Sequence, residues 1–312
     1  MVRLRRLAGP EHATIYCKCE FMNPSGSVKD RFVNYILDKA WERGEIKPGS
    51  MIVENTSGNT GAAIALWSAV RGVKCMFTIP DKMSDEKINT LRAMGAEVLV
   101  CPTKVAADSP ESYYEQAKRI ARERGAFYLN QYHNPDNIEA HYNVTGPEIW
   151  QQMDGQFDAF VAGMGTGGTM SGAGKYFHEQ AKLAGRSVLN IGVDPIGSVF
   201  YSLFKTGKPE EPHTYFVEGI GEDMVCGALD LDVLDDIHQV DDQQSFTAAR
   251  NLARKEGIFA GGSSGSAVHV ALKVAKTLGP DKKVVVMLTD AGKSYISKIY
   301  SDEWMVANGF TV

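Results

Sequence analysis

The chain reads as an α/β protein on mainly parallel sheet, and two patterns lead there. Short apolar runs, such as Met51-Ile52-Val53 and residues 73–79, alternate with longer segments whose apolar residues recur at helical spacing. Strands joined through helices pair in parallel, with helices on the sheet faces and ligands expected at the strands' carboxyl ends. With 312 residues the chain can bury a large core, as two lobes or as one large α/β domain.

The elements follow in order. Residues 15–19 alternate as a strand. Residues 29–43 place Phe32, Val33, Ile36, Leu37, Ala40 and Trp41 at helical spacing, and Gly44 supplies a stop. A short strand over 51–53 precedes a helix over 62–70. Buried strands are expected over 73–79, 97–101 and 126–129, with helices over 85–94 and 110–124. Ser109 as N-cap and Pro110 at the first helical position would open the second of these helices. Strands over 157–162, 188–193 and 283–288 then alternate with helices over 169–183, 245–256 and 266–278. Residues 205–213 are linker-like but too short to separate independent domains.

A formal net charge of −5 speaks against a general binder of nucleic acid or of anionic membranes. No apolar run is long enough to span a bilayer and no signal peptide opens the chain, so a cytoplasmic protein is expected. Cys17, Cys19, Cys75, Cys101 and Cys226 are odd in number and lie largely in apolar segments, which reads as reduced thiols. Cys17-Lys18-Cys19 puts two thiols on one side of a strand. No second Cys or His pair completes a zinc site, and no metal is expected.

Three motifs carry chemistry. Asn23-Pro24-Ser25-Gly26-Ser27-Val28-Lys29 sets one lysine where a turn becomes a helix. Thr56-Ser57-Gly58-Asn59-Thr60-Gly61 follows a strand and opens another helix. A lysine beside a loop of hydroxyls and backbone N–H groups suits an aldehyde cofactor held as a Schiff base next to an amino acid's carboxylate. Gly163-Met164-Gly165-Thr166-Gly167-Gly168-Thr169 follows a strand and begins a helix. Its glycines let the backbone approach a phosphate, which the helix N-terminus attracts. That loop also fits a dinucleotide fold, with Asp194 ending the next strand where ribose would sit. The lysine and hydroxyl motifs have no evident use in such an enzyme and favour the aldehyde cofactor.

In this order, and from Val2 to Trp304, the motifs resemble the pyridoxal-phosphate enzymes of the cysteine synthase and cystathionine β-synthase family. The resemblance implies a fold-type-II enzyme, similar to tryptophan synthase β, with two α/β lobes and pyridoxal phosphate between them. Residues 23–134 would form the smaller lobe and 135–312 the larger, with 1–22 packing on the larger. Lys29 resembles the Schiff-base lysine. Thr56, Ser57, Asn59 and Thr60 resemble the loop for the substrate carboxylate, and Asn59 also the partner of the cofactor's ring hydroxyl oxygen. Gln131 resembles the second carboxylate contact, although a capping glutamine would look the same. Gly165, Thr166, Gly167, Gly168 and Thr169 resemble the phosphate loop. Ser263 resembles the hydroxyl facing the pyridine nitrogen, with Ser264 left to cap the helix that follows.

A hydroxyl does not force a proton onto that nitrogen, which makes the ring a moderate electron sink and favours expelling a β-substituent. Lys29, once displaced by substrate, would take and return the α-proton. Asp108-Ser109-Pro110-Glu111-Ser112, Asp194-Pro195-Ile196-Gly197-Ser198, Glu218-Gly219-Ile220-Gly221 and Asp302-Glu303-Trp304-Met305 resemble the cystathionine β-synthase branch. Two positions depart from the pattern. Glu222 stands where the branch often has an aromatic residue, and Glu54-Asn55 stands where cysteine synthases usually have a proline. Gly219 and Glu222 are expected near the second substrate, where Glu222 would attract the ammonium group of homocysteine or else be a solvated loop carboxylate.

The expected activity is β-replacement on serine, or an activated serine, with homocysteine to give cystathionine. Cysteine synthase with sulfide is the runner-up; an NAD-dependent oxidoreductase and a catalytically silent binding module are the alternatives from other classes. Small amino acids are the expected partners, nucleic acid and membrane are not, and the resemblance implies a homodimer.

Overall fold

The computed structural model describes residues 1–312 apart from Ser57, Ser84 and Ala107. Its strands are β1 (Val2–Arg3), β2 (Thr14–Cys19), β3 (Met51–Asn55), β4 (Lys74–Pro80), β5 (Glu97–Cys101), β6 (Phe127–Tyr128), β7 (Ala159–Gly163), β8 (Leu189–Pro195), β9 (Asp236–Val240) and β10 (Lys283–Leu288). Its helices are α1 (Lys29–Glu42), α2 (Asn59–Arg71), α3 (Asp85–Ala93), α4 (Tyr113–Arg124), α5 (Pro135–Ala140), α6 (Gly146–Gln152), α7 (Gly168–Leu183), α8 (Phe200–Thr206), α9 (Asp242–Glu256), α10 (Gly262–Leu278) and α11 (Asp302–Ala307). A π-helical segment, His141–Thr145, joins α5 to α6. Asn23–Asn137 form one compact unit, and Met1–Met22 with Ile138–Val312 form another.

In the Asn23–Asn137 unit the described strands make a parallel sheet in the order β5-β4-β3-β6. Val53 and Met76 bury against Ala117, Ile120 and Ala121 of α4. Parallel strands end on the same edge of their sheet, and there Asn55, Thr78 and the chain after β6 come together.

In the other unit the described strands run β1-β2-β10-β7-β8-β9, all parallel except β1 against β2. Val284, Val285, Val286, Met287 and Leu288 of β10 are fully buried, the continuous apolar run of a parallel strand covered on both faces. α10 sets Ala267, Val268, Ala271 and Ala275 against Ile15, Cys17, Val284 and Val286; alanines at this contact let the helix approach closely. Phe177 of α7 meets Phe157 and Phe160 edge-on, with centroids 5.1 and 5.0 Å apart. Truncating Phe160 to alanine costs about 3–5 kcal/mol on this account. The amino-terminal segment is held by Glu256, whose carboxylate accepts N–H groups of Arg5 at 3.0 Å, Arg6 at 2.7 Å and Leu7 at 2.8 Å.

Four helix starts differ from the sequence expectation; α2 begins at Asn59, not at 62, and α9 at Asp242, not at 245, where Asp241 and Gln244 form a capping box. α4 begins at Tyr113, not at 110, with Ser112 as its cap accepting the Glu115 N–H at 3.2 Å. Ser109 instead closes a turn, its carbonyl accepting the Ser112 N–H at 2.9 Å. The Ser-x-x-Glu pairing at 112–115 gives the backbone a better partner than Ser109-Pro110 could. α10 begins at Gly262 with Gly261 as N-cap, so Ser264 lies inside its first turn and is not the cap. The Ser264 hydroxyl accepts the Thr289 N–H at 3.0 Å and ties α10 to the end of β10.

Candidate active site

Lys29 is the first residue of α1, and the turn before it is rigid. The Gly26 N–H donates to the Asn23 carbonyl at 2.8 Å, with Gly26 at φ +86°. Asn23 Nδ2 donates to the Ser27 carbonyl at 3.0 Å, and the Ser27 hydroxyl accepts the Lys29 N–H at 3.2 Å. Buried Asp30 accepts from the Ser25 N–H at 3.1 Å and the Ser25 hydroxyl at 2.6 Å. The side chains of Asn23, Ser25 and Ser27 thus brace the turn that leads to Lys29, which is half-buried.

In the same unit the hydroxyl of buried Thr56 accepts the N–H groups of Gly58 at 3.0 Å and Gly61 at 3.3 Å, capping the start of α2. Gly58, at φ +126°, has the Lys87 side chain packed over it, and a Cβ there would sit 3.0 Å from Lys87 Cδ. Half-buried Asn59 and buried Thr60 are the first residues of the helix. Ser57, expected in this loop, lies outside the described residues.

Gln131, 3% exposed, joins the loop. Its Nε2 donates to the Asn55 carbonyl at 2.8 Å, and its Oε1 accepts from the Thr60 hydroxyl at 2.8 Å. A backbone carbonyl can only accept, so this bond fixes which end of the amide is nitrogen and obliges Thr60 to be the donor. The Gln131 and Asn130 N–H groups both donate to Glu54, at 3.3 and 2.7 Å. Glu54 is fully buried, and burial pushes its carboxyl up to about 8. Asn55 Oδ1 accepts from the Tyr128 hydroxyl at 2.5 Å.

The other unit carries the glycine loop. Among its glycines, Gly163 would put a Cβ 2.5 Å from Ile220 Cγ2, and Gly165 one 2.9 Å from the Gly219 carbonyl. Gly167 has φ +90° and would meet Leu229 Cα at 2.6 Å. The 218–222 turn therefore lies directly on the loop, locked by the Gly221 N–H donating to Met164 O at 2.6 Å. Gly168 opens α7, whose first N–H groups have no carbonyl one turn back to receive them.

Ser263 lies on the same side of this unit, 3.8 Å from where a Gly219 Cβ would be. Its hydroxyl pairs with the Thr289 hydroxyl at 2.8 Å. The carboxyl of the next residue, Asp290, accepts the Tyr295 hydroxyl at 2.5 Å. Glu222 is half-buried, and its main chain is docked on Ser198 Oγ and the Val199 N–H, each at 3.1 Å. Asp194, which a dinucleotide enzyme would turn toward ribose, accepts the Tyr201 N–H at 2.9 Å and caps α8.

Glu54 was singled out in the sequence only as a departure from the family pattern, and its buried bonds to the 130–131 backbone were not foreseen. Three of these residues escaped the sequence reading altogether. Lys87 and Thr289 each act through a neighbour distant in sequence, and nothing local marks them. His141 is a lone buried histidine between two threonine hydroxyls: Nδ1 is 2.8 Å from Thr145 Oγ1 and Nε2 3.2 Å from Thr169 Oγ1. A π-helical segment, common at functional sites, was its only signal, and periodicity does not reveal one.

Comparison with known proteins decides the class. A family model described as pyridoxal-phosphate dependent enzyme matches residues 1–290. The chain belongs to that family. The fold-type-II architecture and the cofactor that the lysine motif implied are thus those of its family. Curated relatives named cystathionine beta-synthase are 44% identical over 297 residues (Apis mellifera), 43% over 315 (Mus musculus) and 42% over 304 (Saccharomyces cerevisiae). These matches cover 95%, 99% and 94% of this chain but 58%, 55% and 59% of the relatives, so the chain spans little more than half their length. A crystal structure of O-ureido-L-serine synthase superposes with a TM-score of 0.87 at 32% identity, covering 98% of this chain and 95% of that one.

The residues fit this family's cofactor. The glycine loop is a cradle that side chains would fill, its donors are N–H groups and the Thr166 and Thr169 hydroxyls, and the loop itself contains no carboxylate to repel a phosphate. Among the described residues no cluster of His, Cys, Asp and Glu could hold a metal, and no helix is long and apolar enough to cross a membrane.

Proposed function

We propose that the chain catalyses pyridoxal-phosphate-dependent β-replacement on serine, or an activated serine, with homocysteine as the thiol and cystathionine as the product. The observation that carries this reading is identity of 42–44% to the cystathionine beta-synthase relatives across 94–99% of the chain. It favours homocysteine over the sulfide of a cysteine synthase.

When bound, the cofactor supplies the electron sink that lets a β-substituent leave. In this reading Lys29 Nζ would hold the cofactor through its aldehyde carbon, and would take the proton from the substrate's Cα and return it. The rigid turn before α1 supports that role by fixing the backbone of Lys29. Thr56, Ser57, Asn59, Thr60 and Gln131 hold the substrate carboxylate, and Asn59 also meets the cofactor's ring hydroxyl oxygen. Gly165, Thr166, Gly167, Gly168 and Thr169 take the phosphate.

Ser263 meets the pyridine nitrogen as a neutral hydroxyl. Its pairing with Thr289, and the engagement of Asp290 by Tyr295, support a ring nitrogen without a facing carboxylate. Gly219 and Glu222 border the second substrate, with Glu222 attracting the ammonium group of homocysteine. Five cysteines without disulfides fit work in the cytoplasm, and a homodimer is part of the same reading.

A second nucleophile is favoured by one observation. The solved structure matched over nearly its whole length is a synthase of O-ureido-L-serine, which makes a hydroxyl-type nucleophile the second reading. Serine and O-acetylserine, each offered homocysteine, sulfide and hydroxyurea, test both. Cystathionine as the fastest product supports the main reading; the O-ureido product or cysteine as the fastest overturns it.

A further inference from the structure

The 218–222 turn, which the proposed function sets beside the second substrate, bends through two glycines in the left-handed region, Gly219 at φ +88° and Gly221 at φ +74°. Glycine has more backbone freedom to lose than any other residue, so such a turn keeps one shape only where it is anchored. Its downstream end is docked on Ser198 and Val199 through the main chain of Glu222, and its middle on the Met164 carbonyl through the Gly221 N–H. Upstream, Glu218 pairs with Lys298 Nζ at 2.7 Å, a bond that fixes a side chain. The main chain entering the turn is held by Asp242. Its Oδ1 accepts the N–H groups of Phe216 at 3.0 Å and Val217 at 2.8 Å, and its Oδ2 accepts that of Phe216 at 2.9 Å. Asp242 is the first residue of α9, where a carboxylate ordinarily serves the helix end. Here Asp241 already does so: its side chain accepts the Gln244 N–H at 2.7 Å, and the Gln244 side chain accepts the Asp241 N–H at 3.3 Å. The half-buried Asp242 carboxylate is turned instead on the chain before Glu218. Val217 is thereby pinned twice, by its N–H on Asp242 and by its side chain against Phe246 of the same helix.

We propose that Asp242 is a positioning residue for the second substrate, fixing the upstream end of the 218–222 turn and with it the place of Gly219 and Glu222. The proposal deepens the β-replacement reading and rests on it. Asp242 acts through the main chain of Phe216 and Val217 and supplies no atom to the reaction. Its loss should weaken binding of homocysteine and leave the steps with serine alone.

The test uses the holoenzyme with Asp242→Ala, Asp242→Asn, Glu222→Gln, and Asp242→Ala combined with Glu222→Gln. Asp242→Ala should raise the KM for homocysteine about tenfold, with the KM values for serine and for sulfide within about twofold of the parent and kcat within about threefold. Sulfide lacks the ammonium group that Glu222 would meet, so a displaced turn costs it no binding. Asp242→Asn keeps Oδ1 as the acceptor for Val217 but turns an NH2 group toward the Phe216 N–H, and should lose less, about threefold. The combined variant should fall short of the product of the two single losses, because Asp242 acts on homocysteine through Glu222. An unchanged KM for homocysteine, an equal rise for sulfide, an altered absorbance response to serine, or fully independent losses in the combined variant would overturn the role. Failure of the β-replacement reading looks different: the parent holoenzyme itself would then form no cystathionine, and the role would fall with it.

Discussion

The imidazole of His141 holds the hydroxyl of Thr169, Nε2 to Oγ1, at 3.2 Å. Thr169 is the second residue of α7, so a histidine from a π-helical segment steadies the end of the glycine loop. His141→Ala is expected to weaken retention of pyridoxal phosphate about tenfold, the worth of one partly buried hydrogen bond to the phosphate-loop end. Spectrophotometric titration of the apoprotein with cofactor measures it, and equal affinities would remove His141 from the phosphate site.

Lys29→Ala should fold as the parent does, because alanine keeps the backbone N–H that Lys29 donates to the Ser27 hydroxyl. Turnover should fall at least a thousandfold and the near-visible absorbance of the cofactor should vanish. A variant that retains both would show that another amine does the work.

Gly167→Ala meets two obstacles at once, a backbone at φ +90° and a Leu229 Cα only 2.6 Å from the new methyl. Leu229 presents backbone there and cannot turn aside. Cofactor binding should drop more than tenfold and the unfolding temperature should fall, by differential scanning calorimetry. Normal binding would mean that the loop is not the phosphate cradle.

Ser263→Asp would set a carboxylate beside the Thr289 hydroxyl, 2.8 Å from the present oxygen. With a carboxylate facing it, the ring nitrogen should stay protonated, and β-replacement should slow by roughly ten- to a hundredfold while long-wavelength absorbance persists longer after serine is added. Stopped-flow spectra of the two proteins decide it; identical traces would place Ser263 away from the ring.

Two buried carboxyls make stability depend on pH. Burial raises Glu54 to about 8 and Asp194 to about 7, well above the ordinary value near 4. A group whose folded pKa is raised binds its proton more tightly when folded. Its stabilisation is complete below about pH 4 and is lost as the pH rises toward 7 and 8. The unfolding temperature should therefore fall between pH 5 and pH 8.5, and Glu54→Gln together with Asp194→Asn should flatten that decline. An equally steep decline in the double variant would mean that other groups govern it.

The strand–helix rhythm was legible because the buried strands are plain apolar runs, β10 above all. β9 was not, since its Asp-Ile-His-Gln-Val sequence belongs to an edge strand with only two buried residues. The helix start at 110 was misplaced because Ser112, not Ser109, takes the cap, and the start at 266 because Ser264 bonds the Thr289 N–H, which lies elsewhere in the chain, while Gly261 opens the helix. The motif residues themselves stood out as small polar clusters beside glycines. Their supports did not: Glu54 and Asn130 are 76 residues apart, as Ser263 and Thr289 are 26, and such pairings exist only once the sheets have formed.

β2 pairs with β10 along its whole length, from Thr14 against Lys283 to Cys19 against Leu288. A ribosome releases the first of these strands long before it makes the second. The Asn23–Asn137 unit, whose sheet uses only its own residues, can close while synthesis continues. Residues 14–19 must meanwhile wait with an open edge and an apolar face, until some 260 further residues have been added and the loop entropy of that distant pairing is met. The strand over residues 14–19 is made well before its partner and is among the last elements of its sheet to find its place.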